Sequence, residues 1–163
     1  MKPFGKACRS IRRRSRLGAV LSIELIMVLP ILLIVLLAMV EFGILLMSSQ
    51  GVGAAAAVGS RNAALPSSSR SSVAAAVNTA LSGYIWKNKT ELVVYVDADG
   101  NGPGDFVEDT AIPGTLLANA PSGAIVSVTV NLPMDDAAPN LLRYFGIDLA
   151  GKELTTTYVT RKE

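Results

Sequence analysis

From Leu25 to Val40, sixteen consecutive residues carry no charge and no side-chain amide, and the apolar character resumes after Glu41 as far as Met47. At about 1.5 Å per helical residue the stretch from Leu25 to Met47 reaches roughly 34 Å, enough to cross a hydrocarbon layer of about 30 Å. A lone segment in lipid must satisfy its own backbone hydrogen bonds, so this one has to be an α-helix. Everything else in the chain is read as what lies on either side of a membrane span.

The flanks set the expected direction. Lys2, Lys6, Arg9, Arg12, Arg13, Arg14 and Arg16 precede the span with no acid among them, whereas residues 48–60 carry no charge. The positive-inside bias then keeps the N-terminus in the cytoplasm and puts everything after about residue 48 across the membrane. The net charge of +2 hides this asymmetry, because the chain beyond the leader holds eight Lys/Arg against thirteen Asp/Glu. No nucleic-acid partner is expected; the basic residues are a topology signal that also meets lipid headgroups. Cys8 is the one cysteine and there is no histidine, which removes disulfide frameworks, thiolate metal sites, the common catalytic triads and most zinc sites. An enzyme is not expected.

Within the span, two carboxylates and a proline need separate accounts. A carboxylate inside a membrane costs a few kcal/mol and is a functional hypothesis by default. Glu24 is such a residue, with snorkelling at the cytoplasmic rim as the competing reading. Glu41, about 25 Å further along the helix, is expected near the outer headgroups. Pro30 cannot donate to the carbonyl of Ile26 and should kink the helix locally.

Beyond Met47 the residues become small. Gly51, Gly53, Ala54 to Ala57 and Gly59 permit close helix approach, and each glycine costs near 1 kcal/mol of helix propensity that packing must offset. The packing partner is left open between the chain's own domain and another copy. Pro66 and the serines after it read as a linker. A second helix is expected over about Ser71 to Leu81, stopped by Gly83, followed by Tyr84, Ile85 and Trp86 as core residues or membrane-rim anchors. Strands are expected over Glu91–Val96, Ala124–Leu132 and Leu154–Thr160, with a short helix over Pro139–Gly146. In the second of these strands Val126, Val128, Val130 and Leu132 share one face.

The expected class is therefore α+β: a long N-terminal transmembrane helix continuing into an extracytoplasmic stem, then a short helix and a small antiparallel sheet. The expected divisions are a basic cytoplasmic leader (1–18), the transmembrane helix and small-residue stem (19–64) and an extracytoplasmic domain (65–163).

Asp97, Asp99, Asn101, Asp105 and Glu108 fit the pattern D-x-[DN]-x-[DN]-G-x5-E, with Gly102 at the turn, which crowds oxygen ligands as Ca²⁺ requires. A strand and not a helix precedes Asp97, and Asp, Asn and Gly also serve any solvated hairpin loop, so a Ca²⁺ site and an ordinary turn both stand.

Arg13-Arg14, Arg16-Leu-Gly18, Ile23-Glu24-Leu25, Val28-Leu-Pro30 and Val40-Glu41-Phe42-Gly43 together resemble the TadE-like family, the pseudopilins of tight-adherence pilus systems, over about residues 12–64. The external domain is similar to some members only through a valine-rich strand ending in proline and a threonine-rich strand ending in charge. The resemblance implies a prepilin-like protein of the bacterial inner membrane, its domain periplasmic or extracellular. It implies a cut by a membrane prepilin peptidase at Gly18 or Ala19, and an assembly role for Glu24 by pairing with an amine. A charge so matched costs less in lipid. The family places this glutamate five residues after the cut. A cut after Gly18 makes Glu24 the sixth residue, a cut after Ala19 makes it the fifth, and lost cleavage would leave a simple anchored subunit.

The function expected is that of a minor pilus or secretion-apparatus component whose partners are other such subunits, copies of itself included. One alternative is an uncleaved single-pass anchor presenting a small, Ca²⁺-stabilised binding domain. Another, a secreted protein with a signal peptide to about residue 57, suffers from an apolar region longer than the usual 7–15 residues.

Overall fold

The computed structural model describes residues 11–97, 106–110 and 115–163. Two compact units are found, Met1–Val40 and Glu41–Glu163, and helix α1 (Ile11–Ala63) contributes to both. In the first unit large apolar side chains of α1 stand uncovered: Leu25, Ile26, Met27 and Met39 are between 64% and 73% exposed. The described part of α1 is long and apolar enough to cross a membrane.

In the second unit α1 changes character. Val52, Ala55, Ala56 and Ala63 are wholly buried, and their spacing, with Gly59 between, marks one helix face. Against this face lie Val73 and Val77 of α2 (Arg70–Ala80) and the valines of a sheet. Helix α2 starts at a reciprocal cap: the Ser69 hydroxyl accepts from the Ser72 amide, and the Ser72 hydroxyl accepts from the Ser69 amide. Such a cap satisfies two amides that the first turn leaves without partners.

The sheet has strands β1 (Glu91–Asp97), β2 (Val107–Glu108), β3 (Ile125–Pro133) and β4 (Glu153–Arg161), in the order β2-β1-β3-β4. Every pairing is antiparallel, with Val94 opposite Val128 and Val128 opposite Tyr158. Val126, Val128, Val130 and Leu132 are wholly buried on the inner face, as their alternation in sequence requires. Two short helices, α3 (Thr115–Asn119) and α4 (Met134–Ala137), and a 3-10 turn, Leu141–Phe145, also belong to the unit. Gly146 closes that turn at φ +86°, a conformation that a residue without Cβ adopts freely.

The α+β class is as expected, with three differences. A fourth strand, β2, is present; its two residues are too short to show a period in sequence. Helix α4 follows β3 without a linker, Pro133 serving as its N-cap. The compact second unit begins at Glu41, well before residue 65, because the second half of α1 is itself a wall of the core. The small-residue stem thus has its packing partner in the same chain. A Cβ on Gly59 would stand 2.8 Å from Val77 Cγ2 and 3.1 Å from Val128 Cγ1, and one on Gly51 would meet the Tyr84 ring at 2.6 Å.

Candidate functional site

Gly18 and Ala19 lie within α1, as does Pro30, through which the helix runs without interruption. Glu24 is exposed, and its neighbours Ile23 and Leu25 are each 64% exposed. A carboxylate on an otherwise apolar helix surface can hold its charge in lipid only by reaching the headgroups or by meeting a cation. Among the described residues no ion pair involves Glu24.

Glu41, expected near the outer headgroups from its place at the end of the apolar run, is covered by the protein itself. It is 2% exposed, and its Oε2 accepts from the backbone amide of Leu142 at 3.0 Å. Its Oε1 is buried with no hydrogen-bond partner among the described residues. Two turns later Ser48 Oγ donates to the carbonyl of Ala137 at 3.3 Å. Helix α1 is therefore tied at two levels to the stretch that runs from α4 into the 3-10 turn. The physical reason is local: a 3-10 turn leaves its first amides without partners, and a carboxylate accepts such an amide well. Periodicity could not find this pairing, because residues 41 and 142 are far apart in sequence; the one usable signal was an acid followed by Phe-Gly within greasy surroundings.

Beside these contacts lies a cleft of about 450 Å³ lined by Ile44, Met47, Tyr84, Trp86, Asp136 and Pro139, among others. Tyr84 and Trp86 stack at a tilt, ring centroids 4.6 Å apart. Trp86 is 8% exposed and belongs to the core, while Ile85 between them is fully exposed. The triplet thus divides between the two roles expected of it.

Of the calcium-like set, Asp97 is wholly buried at the end of β1 and Glu108 is exposed on β2, opposite Tyr95. Asp99, Asn101 and Asp105 lie outside the described residues. Among the described residues no group of three or more His, Cys, Asp or Glu side chains is arranged to hold a metal ion.

Two other charged groups are shifted by their surroundings. Burial pushes the Lys162 ammonium below the usual lysine range; its Nζ donates to the carbonyls of Leu117 and, at 3.4 Å, Ala118. Asp148 is held below the usual carboxylate range, first by the Ala150 amide at 3.0 Å and then by the Asn140 side chain.

The family model described as TadE-like protein matches residues 19–61. That stretch is similar to TadE-like proteins. It starts one residue after Gly18 and takes in Glu24, Pro30, Glu41 and most of the small-residue face, while α2 and the whole sheet fall outside it. The matched stretch thus comprises an exposed apolar half carrying Glu24 and a second half whose one buried face helps form the core of the second unit. No curated protein and no solved structure matches the chain.

Proposed function

We propose that this protein is a membrane-anchored TadE-like pseudopilin, or a minor component of a pilus or secretion apparatus, acting by helix packing and not by chemistry. The TadE-like match over residues 19–61, with Glu24 exposed on its apolar half, carries this reading. On this reading the basic leader stays in the cytoplasm of a bacterial inner-membrane protein, and a prepilin peptidase cuts at Gly18 or Ala19. The carboxylate of Glu24 then meets the amine of another subunit, a copy of this chain or a related one, as that subunit's helix packs alongside. Desolvating a charge is expensive unless it is matched, so this pairing supplies register as well as attraction.

The deciding measurement is the mature N-terminus, by mass spectrometry of protein made with and without a prepilin peptidase. A start at Ala19 or Val20 that requires the peptidase is the expected result. An intact leader under both conditions would overturn processing and leave an anchored binding module. In the same cells Glu24→Ala should insert normally but no longer co-purify with pilus subunits; equal recovery of mutant and wild type would remove Glu24 from assembly.

A further inference from the structure

The hydrogen bond from the Leu142 amide to Glu41 has a geometric consequence. Ser22–Val40 is nineteen residues, about 28 Å of helix at about 1.5 Å each, so a span that starts at Ser22 brings Glu41 to the level where hydrocarbon gives way to headgroups. Leu142 lies one side chain away, at 3.0 Å from the carboxylate. The turn Leu141–Phe145 then starts at that level, with Gly146 and Ile147 directly after it. Their exposed side chains are those of an interface: Tyr144 is 93% exposed, Ile147 51% and Phe145 48%. On α1 itself Phe42 and Met47 are 63% and 65% exposed, and Ile85, on the rim of the cleft that Met47 lines, is fully exposed.

Large apolar groups uncovered together ordinarily mark an interaction surface. Tyrosine at the boundary of a bilayer keeps its ring among the upper acyl chains and its hydroxyl in water. The charges around the turn largely offset one another, Arg143 with Asp148 at 3.9 Å and Lys89 with Asp136 at 3.3 Å, so any attraction to a surface there is mainly apolar.

We propose that the turn Leu141–Ile147, joined by Ile85, is a second membrane contact, by which the folded unit touches the bilayer surface. The lipid interface is the occupant, because the Glu41 hydrogen bond fixes the turn to the end of the apolar run. The proposal rests on α1 being a membrane span and not on cleavage or pilus assembly.

The test places a nitroxide spin label on the full chain in liposomes, with Cys8→Ser as background and single cysteines at Tyr144, Leu33 and Tyr158. Tyr158 pairs with Val128, which packs at Gly59, about 27 Å along α1 from Glu41, and so reports an aqueous position. Labels at Leu33 and Tyr144 should both relax faster with oxygen than with a water-soluble nickel chelate, with a ratio several-fold above that at Tyr158. A label at Tyr144 as open to nickel as the one at Tyr158, with Leu33 still lipid-exposed, would overturn the membrane contact and leave the anchor standing. An aqueous label at Leu33 would take down the anchor and the proposal with it. Shielding of Tyr144 from both reagents would mean a protein covers the turn, which also overturns it. Tyr144 is so exposed that its replacement should not disturb folding, and an unchanged circular dichroism melt checks this.

Discussion

The two halves of α1 are built on opposite rules. From residue 22 to 47 it carries mainly Leu, Ile, Met and Val side chains that stay largely uncovered; from 48 to 63 it carries mostly Gly, Ala and Ser, and the face bearing Val52, Ala55, Ala56 and Gly59 is sealed. An ordinary soluble helix would bury its bulk and expose its small residues. The inversion teaches that the first half is suited to a solvent that accepts hydrocarbon, whereas the second supplies a surface smooth enough for a sheet and a helix to approach closely.

The largest expected effect breaks the smooth face. Gly59→Leu drives a side chain into Val77 and Val128, which lie within 3.1 Å of where its first carbon would sit, and should destabilise the second unit by about 3 kcal/mol. The thermal melt, followed by Trp86 fluorescence in detergent, reads it. Glu41→Ala comes next: it leaves the Leu142 amide without its acceptor, and a loss of about 1–3 kcal/mol is expected. Amide exchange at Leu142 should quicken accordingly, and less so in Glu41→Gln, which keeps an oxygen there. An unchanged exchange rate would mean that the contact does not hold the turn.

A smaller effect depends on pH. Lys162 has a folded pKa below its unfolded value of about 10.5, so in the window between the two the unfolded chain holds the extra proton. Stability should therefore rise with pH across that window, measured as the urea midpoint, and the rise should flatten in Lys162→Met. Gly53→Ala reverses the sign of the first prediction. Its added methyl meets open space, so the melt should move up, by at most ~1 kcal/mol. Smallest of all, Glu24→Ala lies on the uncovered half and should leave the melt of the second unit within about 0.5 kcal/mol. A large shift there would mean that the two halves are not as separate as their surfaces suggest.

How much of this was legible in sequence follows the range of each interaction. The run Leu25–Val40, the alternation through Val126–Leu132 and the stop at Gly146 are local signals, and each is realised in the structure. Helix α2 lies within a residue of its expected bounds, although its cap is a serine pair and not the commoner Ser with Glu. Strand β2 was invisible because two residues have no period, and the burial of Glu41 because its partner is distant in the chain. The choice of partner for the glycine face was open for the same reason: smoothness says that something comes close, not what.

The last strand gives the order of events during synthesis a physical meaning. β4 pairs along the whole length of β3, Lys162 reaches back to Leu117, and the amide of Glu163 donates to the carbonyl of Ala64 at 2.8 Å. A nascent chain that has not yet delivered residues 153–163 carries β3 as an open edge, with seven residues of it already paired to β1 on the other side. Such an edge is a template for the wrong strand. The interval between synthesis of β3 and arrival of β4 is thus when this protein is most exposed to mispairing, and stalled or shortened chains should be the first to aggregate.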